Sequence, residues 1–111
     1  MKRKVISIVP KIWGREEWIT NGEYCGKKLY LNKGYRCSIH LHNVKDEVFY
    51  VESGRVYFDL GTSSCILESG QAIHVPRQTK HRFRGLEDSV IFEFSTHHED
   101  QDTVRFTKSG K

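Results

Sequence analysis

The chain has 111 residues, with 18 Lys and Arg against 14 Asp and Glu, a formal charge of +4. That length admits one compact domain with one core, and no second domain carrying a separate activity is expected. The mild positive charge comes without zinc-finger spacing or an aromatic-studded basic motif, which argues against nucleic acid as a partner. No stretch approaches the roughly 20 apolar residues of a membrane-spanning helix, which argues against a membrane.

The amino terminus reads MKRKVISIVPKIWG, and its apolar run at 5–9 is closed by Pro10 and Lys11. This is too short for a secretory signal, so a cytoplasmic location is expected. Residues 14–18 offer the only helix-like stretch, a short turn that could equally be loop. From Tyr24 onward, short β-type runs alternate with turn signals. They are YCGKKLYL, YRCSIHLH, EVFYV, RVYFDL, CILE, QAIHVP, HRFRG and SVIFEFS, about eight strands. The pattern is that of an all-β sandwich or barrel. The tail after residue 96 is polar until 104–106, which suits a last edge strand. Cys25, Cys37 and Cys65 are odd in number and form no CxxC, so buried reduced thiols are expected. A β domain this small often buries surface by dimerising, and a homodimer is expected.

The chemistry concentrates around His40 and His42, one residue apart, which on a strand puts both rings on one face. Glu47 follows five residues later, near enough to return on a neighbouring strand, and His81 comes much later. Three imidazoles and a carboxylate make a ligand set for one divalent transition metal. By parity Arg36 and Ser38 share the face of the two histidines, while Cys37 faces away and is not expected to be a ligand. In SVIFEFS, Val90, Phe92 and Phe94 form one face and Ser89, Ile91 and Glu93 the other, which points Glu93 into a polar pocket. Arg77, Lys80, Arg82 and Arg84 surround His81 and could bind an anionic group near the metal. Parity places Tyr50 and His74 away from the ligands. His97, His98, Glu99 and Asp100 look like a second metal motif but read better as an exposed polar tail, and Trp13 and Trp18 read as core or interface ahead of stacking on a sugar ring.

Gly34, His40, His42, Glu47 and Gly54 meet every spacing of the first cupin motif, and Gly70, Pro76 and His81 fit the second. Gln78 stands where that second motif has a glycine and Gly85 where it has an asparagine. The chain therefore resembles the cupin superfamily, with the first motif over 34–54 and the second over 70–85. The resemblance implies a single domain over 1–111, folded as a double-stranded β-helix (a jelly-roll barrel) with the metal near its open end. The segment His-x-His-x-x-Lys-x-Glu and the carboxyl-terminal FEFSTHHEDQDTVRF are similar to cupin-type sugar isomerases of the D-lyxose isomerase and mannose-6-phosphate isomerase type. That narrower resemblance implies an aldose–ketose isomerase acting on a sugar or sugar phosphate through a cis-enediol. Glu93 would be the general base and Lys45 a donor to the substrate oxygen. Lys28, Arg36 and Arg82 are the expected substrate contacts, Lys28 on the strength of a similar lysine-bearing strand in the family. Manganese is the favoured metal, with zinc, iron, cobalt and nickel as alternatives. Two other functions suit the same fold: a cupin dioxygenase using non-haem metal, and a non-catalytic, metal-dependent sugar-binding module.

Overall fold

The computed structural model describes residues 1–111. Its strands run in chain order as β1 (Ser7–Lys11), β2 (Gly14–Asn21), β3 (Tyr24–Leu31), β4 (His40–His42), β5 (Glu47–Ser53) and β6 (Arg55–Leu60). There follow β7 (Ser63–Glu68), β8 (Ala72–Val75), β9 (His81–Gly85), β10 (Ser89–Thr96) and β11 (Thr103–Arg105), with one 3-10 turn at Asp100–Asp102. They form two antiparallel sheets, ordered β1-β2-β3-β10-β5-β8 and β11-β4-β9-β6-β7, that face each other around one core. This is the jelly roll expected for the chain.

Alternation along the strands decides what the two sheets enclose. Cys25, Lys27, Leu29 and Leu31 of β3 are buried, as are Glu47, Phe49 and Val51 of β5 and Ser89, Ile91 and Glu93 of β10. In the β10 register, Ile91 lies opposite Leu29 and Val51, whereas Glu93 lies opposite Lys27 and Phe49. The interior is therefore apolar at one end and ionic at the other. Leu31, Val51, Val56, Phe58 and Ile91, each at most 1% exposed, fill the apolar end. Burial there supplies about 1.5–3 kcal/mol for each large side chain.

Two expectations are corrected. Residues 14–18 belong to strand β2, not to a turn or loop, and with β1 this raises the count to eleven strands. The period-2 signal of GREEWITN is hidden because the inward side of β2 carries Glu16, which serves the ionic end of the interior, as well as Trp18. The run YRCSIHLH is regular only over β4, with an isolated bridge at Arg36, so parity does not carry back through 36–39.

The two motif departures have local explanations. Gln78 adopts φ +61°, the left-handed conformation that the motif's glycine would take without strain, while its N–H donates to the His42 carbonyl at 2.7 Å. An L-residue pays about 1–2 kcal/mol there, partly offset by the greater freedom of an unfolded glycine. Gln78→Gly is expected to stabilise the fold by about 0.5–1 kcal/mol in urea denaturation; a destabilised variant would show that the Gln78 side chain holds the turn. At Gly85 a Cβ would lie 2.8 Å from the Asn32 carbonyl oxygen, so the motif's asparagine does not fit this backbone.

Candidate functional site

His40 and His42 come from β4 and His81 opens β9, where it pairs directly with His40. One ring nitrogen from each lies within 4.8 Å of the others, an arrangement that could hold a metal ion. His40 Nδ1 donates to the Ser38 carbonyl at 2.8 Å and His81 Nδ1 to the Thr79 carbonyl at 2.9 Å. A carbonyl only accepts, so both rings carry their proton on Nδ1 and offer the Nε2 lone pair. Burial, followed by the charges of neighbouring rings and of Lys45, lowers the pKa of His40 to about 3 and that of His42 to about 2. Both are neutral at pH 7, the form that ligates.

Glu47, the first residue of β5, brings Oε2 to 3.4 Å from His42 Nε2 and 3.2 Å from His81 Nε2. Both Glu47 carboxylate oxygens and His81 Nε2 are buried without a hydrogen-bond partner. Lys45 Nζ approaches Glu47 Oε1 at 3.4 Å, an ion-pair contact without hydrogen-bond geometry. Orphaned acceptors converging inside a protein are costly unless something positive satisfies them. A divalent transition metal fits this donor set.

His40, His42 and Glu47 of this cluster line a cavity of about 480 Å³ between the sheets. Beside it, Lys45 Nζ donates to Glu93 Oε2 at 3.1 Å and to His98 Nδ1 at 2.9 Å, while His98 Nε2 meets Asp100 Oδ1 at 2.9 Å. Lys27, 2% exposed, stands 3.7 Å from Glu16, 4.0 Å from Glu93 and 4.1 Å from the Trp18 ring centre. Burial works against the Lys45 ammonium, but Glu93 and Glu47 outweigh it and raise its pKa. Burial also works against the Glu93 carboxylate, yet Lys45 and Lys27 prevail and lower its pKa. The pair is held charged.

The structure brings His40, His42, Glu47, His81, Lys45 and Glu93 together. It does not bring Lys28, Arg36 or Arg82 to the cavity. Lys28 is on the outward side of β3, over the Tyr30 and Phe92 rings, and its neighbour Lys27 takes the inward position. Arg36 turns to the carboxyl-terminal carbonyl of Lys111, outside the regular strand that parity assumed. Arg82 alternates with buried His81 and Phe83, so it faces outward and pairs with Asp59 at 3.0 Å. Cys37, expected to face away, lines the cavity but is not one of the clustered ligand residues; its thiol accepts from the Phe83 N–H at 3.3 Å, and burial pushes its pKa up to about 12. Cys65 is exposed, not buried.

Two residues of the tail serve the site. His98, expected to be exposed with the rest of its polar run, has a side chain only 9% exposed that meets Lys45. Asp102 caps the turn between β4 and β5, accepting from the backbone N–H groups of Asn43, Val44 and Lys45 at 3.0, 3.0 and 2.9 Å. That turn joins the strands bearing His42 and Glu47 and aims Lys45. Asp102→Ala is expected to cost about 2 kcal/mol in thermal unfolding, from three orphaned donors, and to weaken metal retention. Unchanged retention in a metal titration would show the turn holds itself.

A family model described as "Cupin domain" matches residues 29–96. Among curated proteins, "Polyketide synthase CurC" from Streptomyces cyaneus is 34% identical over 68 residues, covering 59% of this chain and 44% of that protein. The chain thus spans less than half the length of that relative. Among solved structures, KdgF from a Halomonas species superposes with a TM-score of 0.73 at 21% identity, covering 78% of this chain and 81% of that one. The capsular polysaccharide assembling protein CapF from Staphylococcus aureus superposes with a TM-score of 0.81 at 16% identity, covering 95% of this chain and 35% of that one. Likenesses at these identities concern the fold.

Proposed function

The chain belongs to the cupin family, and from that premise we propose that it is an enzyme, a metal-dependent aldose–ketose isomerase of small sugars or sugar phosphates of the D-lyxose or D-mannose type. One observation carries the reading: the charged Lys45–Glu93 pair, 3.1 Å apart, is buried beside the histidine cluster in a cavity of about 480 Å³. That volume is ordinary for a small-molecule site. His40, His42, His81 and Glu47 would hold a divalent metal (manganese favoured, zinc, iron, cobalt or nickel as alternatives), which would supply Lewis-acid polarisation of the substrate oxygens. Glu93 begins the cycle as a carboxylate, the state a base needs, and carries the proton between adjacent carbons through a cis-enediol. Lys45 remains an ammonium and donates a hydrogen bond to the enediolate oxygen, while the substrate's hydroxyl proton passes from the oxygen that becomes the ketone to the oxygen that becomes the new hydroxyl. Asp100 orients His98, which fixes Lys45 from the other side.

A second reading is favoured by the name of the curated relative. The same base and donor suit proton removal next to a ketone in a polyketone chain. An exchange assay in heavy water separates the readings, using manganese-loaded protein, a panel of pentoses, hexoses and their phosphates, and an acetoacetyl thioester. Deuterium at the carbon next to the sugar carbonyl, with ketose formation, is expected. Exchange confined to the thioester would transfer the assignment to polyketone chemistry. Metal-dependent sugar binding without exchange would leave a binding module, and oxygen consumption with ferrous iron an oxygenase.

The proposed homodimer has a suitable face on the outside of the six-stranded sheet, where Phe92 and Phe94 stack at 6.3 Å and Phe94 is 55% exposed. Three free cysteines, two of them buried, support the proposed cytoplasmic setting. No helix is long and apolar enough to cross a membrane.

A further inference from the structure

Three cations of the cavity lining have no carboxylate partner. Arg105 of β11, Lys108 beyond it and Lys11 at the end of β1 line the same cavity as the histidine cluster. By contrast Lys27, Lys45, Arg55, Arg77 and Arg82 each pair with an acid. Asp100, an acid of the same lining, is engaged by His98. Arg105 is the best placed of the three. Its register partner across the sheet is His40, and its Nη1 donates to Ser38 Oγ at 3.0 Å. Ser38 is 1% exposed, and its carbonyl is the acceptor that fixes the His40 ring. One donor of the guanidinium is thus anchored to the frame of the metal cluster, and its other donors remain without a protein partner. A planar fork of donors held at one corner is suited to a carboxylate or phosphate.

We propose that Arg105, assisted by Lys108 and Lys11, forms an oxyanion subsite that binds the carboxylate or phosphate of the substrate while its carbonyl end faces the histidine cluster. The proposal rests on reading the cavity as a site for a small carbonyl compound and makes that compound an anion. It also moves anion binding from the outward cluster around Arg82, where the nearest guanidinium is already neutralised by Asp59, to the carboxyl-terminal segment.

Calorimetric titration of zinc-loaded protein with D-mannose, D-mannose 6-phosphate and D-glucuronate tests it without requiring turnover. One anionic sugar at least is expected to bind about tenfold more tightly than D-mannose, the worth of a charge-assisted pair. Whichever gains identifies the oxyanion. Arg105→Gln combined with Lys108→Gln should bring the anionic sugar down to the level of D-mannose, and Arg105→Lys should recover part of the difference. Both side chains are exposed, so the melting temperature should stay unchanged. Equal affinity for all three sugars, a preference that survives in the double variant, or no measurable binding would each overturn the subsite. Arg105-dependent binding without sugar turnover would keep the subsite and remove the isomerase. Turnover of D-mannose without anion preference would do the reverse.

Discussion

Glu93→Gln is expected to lower kcat for sugar isomerisation by about a hundredfold or more, the usual worth of a positioned general base, while the protein still retains metal. The substitution keeps the shape of the side chain and removes the charge facing Lys45 at 3.1 Å and Lys27 at 4.0 Å. Both lysines are 2–3% exposed, so the variant also loses stability. Removing one member of a buried ion pair typically costs about 3–5 kcal/mol. The loss here should fall toward the lower end, because Glu47 still faces Lys45 and Glu16 still faces Lys27. Stability and catalysis can be separated by adding Lys27→Met to Glu93→Gln, which removes one of the stranded ammoniums and leaves the donor Lys45 in place. The double variant should melt at a higher temperature than Glu93→Gln and remain inactive. If activity returned together with stability, Glu93 would be a structural counter-ion and the base would lie elsewhere.

The parts of this site that sequence made legible are those set by short-range periodicity. His40 and His42 share a face because β4 is regular between them, and Glu93 was found by parity because β10 is an uninterrupted eight-residue strand. Lys28 shows the limit of the same logic. In the pair Lys27-Lys28 nothing local says which points inward; the choice is made by the pairing of Lys27 with Glu93 across the sheet, and a one-residue error exchanges the two faces. Cys37 and Arg36 were misplaced because parity was extended through a segment that is not a strand. His98 and Asp102 carried no periodic signal at all. They act because the tail folds back, with Asn21 holding the backbone of residue 98 and β11 pairing with β4. The second strand was hidden for a related reason, since its inward Glu16 serves an ionic interior that hydrophobic patterning does not anticipate.

Metal loading is expected to raise the melting temperature by about 10–30 °C. A ligand that binds only the folded state at 100 to 1,000 times its Kd adds about 2.7–4.1 kcal/mol, and each kcal/mol is worth about 4–8 °C in a domain of this size. The physical source is specific: the two carboxylate oxygens of Glu47 and His81 Nε2 are buried without hydrogen bonds, and a cation among them removes that penalty. The metal-free protein should be acid-sensitive on the same account. His40 and His42 titrate at about 3 and about 2 in the folded chain, whereas an unfolded histidine titrates near 6.5. Between those values the unfolded chain binds protons that the folded chain refuses, so stability falls as pH drops below about 6.5. Differential scanning calorimetry from pH 7 to pH 5, with and without manganese or zinc, reads both effects, and His81→Ala should abolish the metal-induced rise. A melting temperature indifferent to every metal would mean that Lys45 alone neutralises Glu47, and the histidine trio would be packing rather than a binding site.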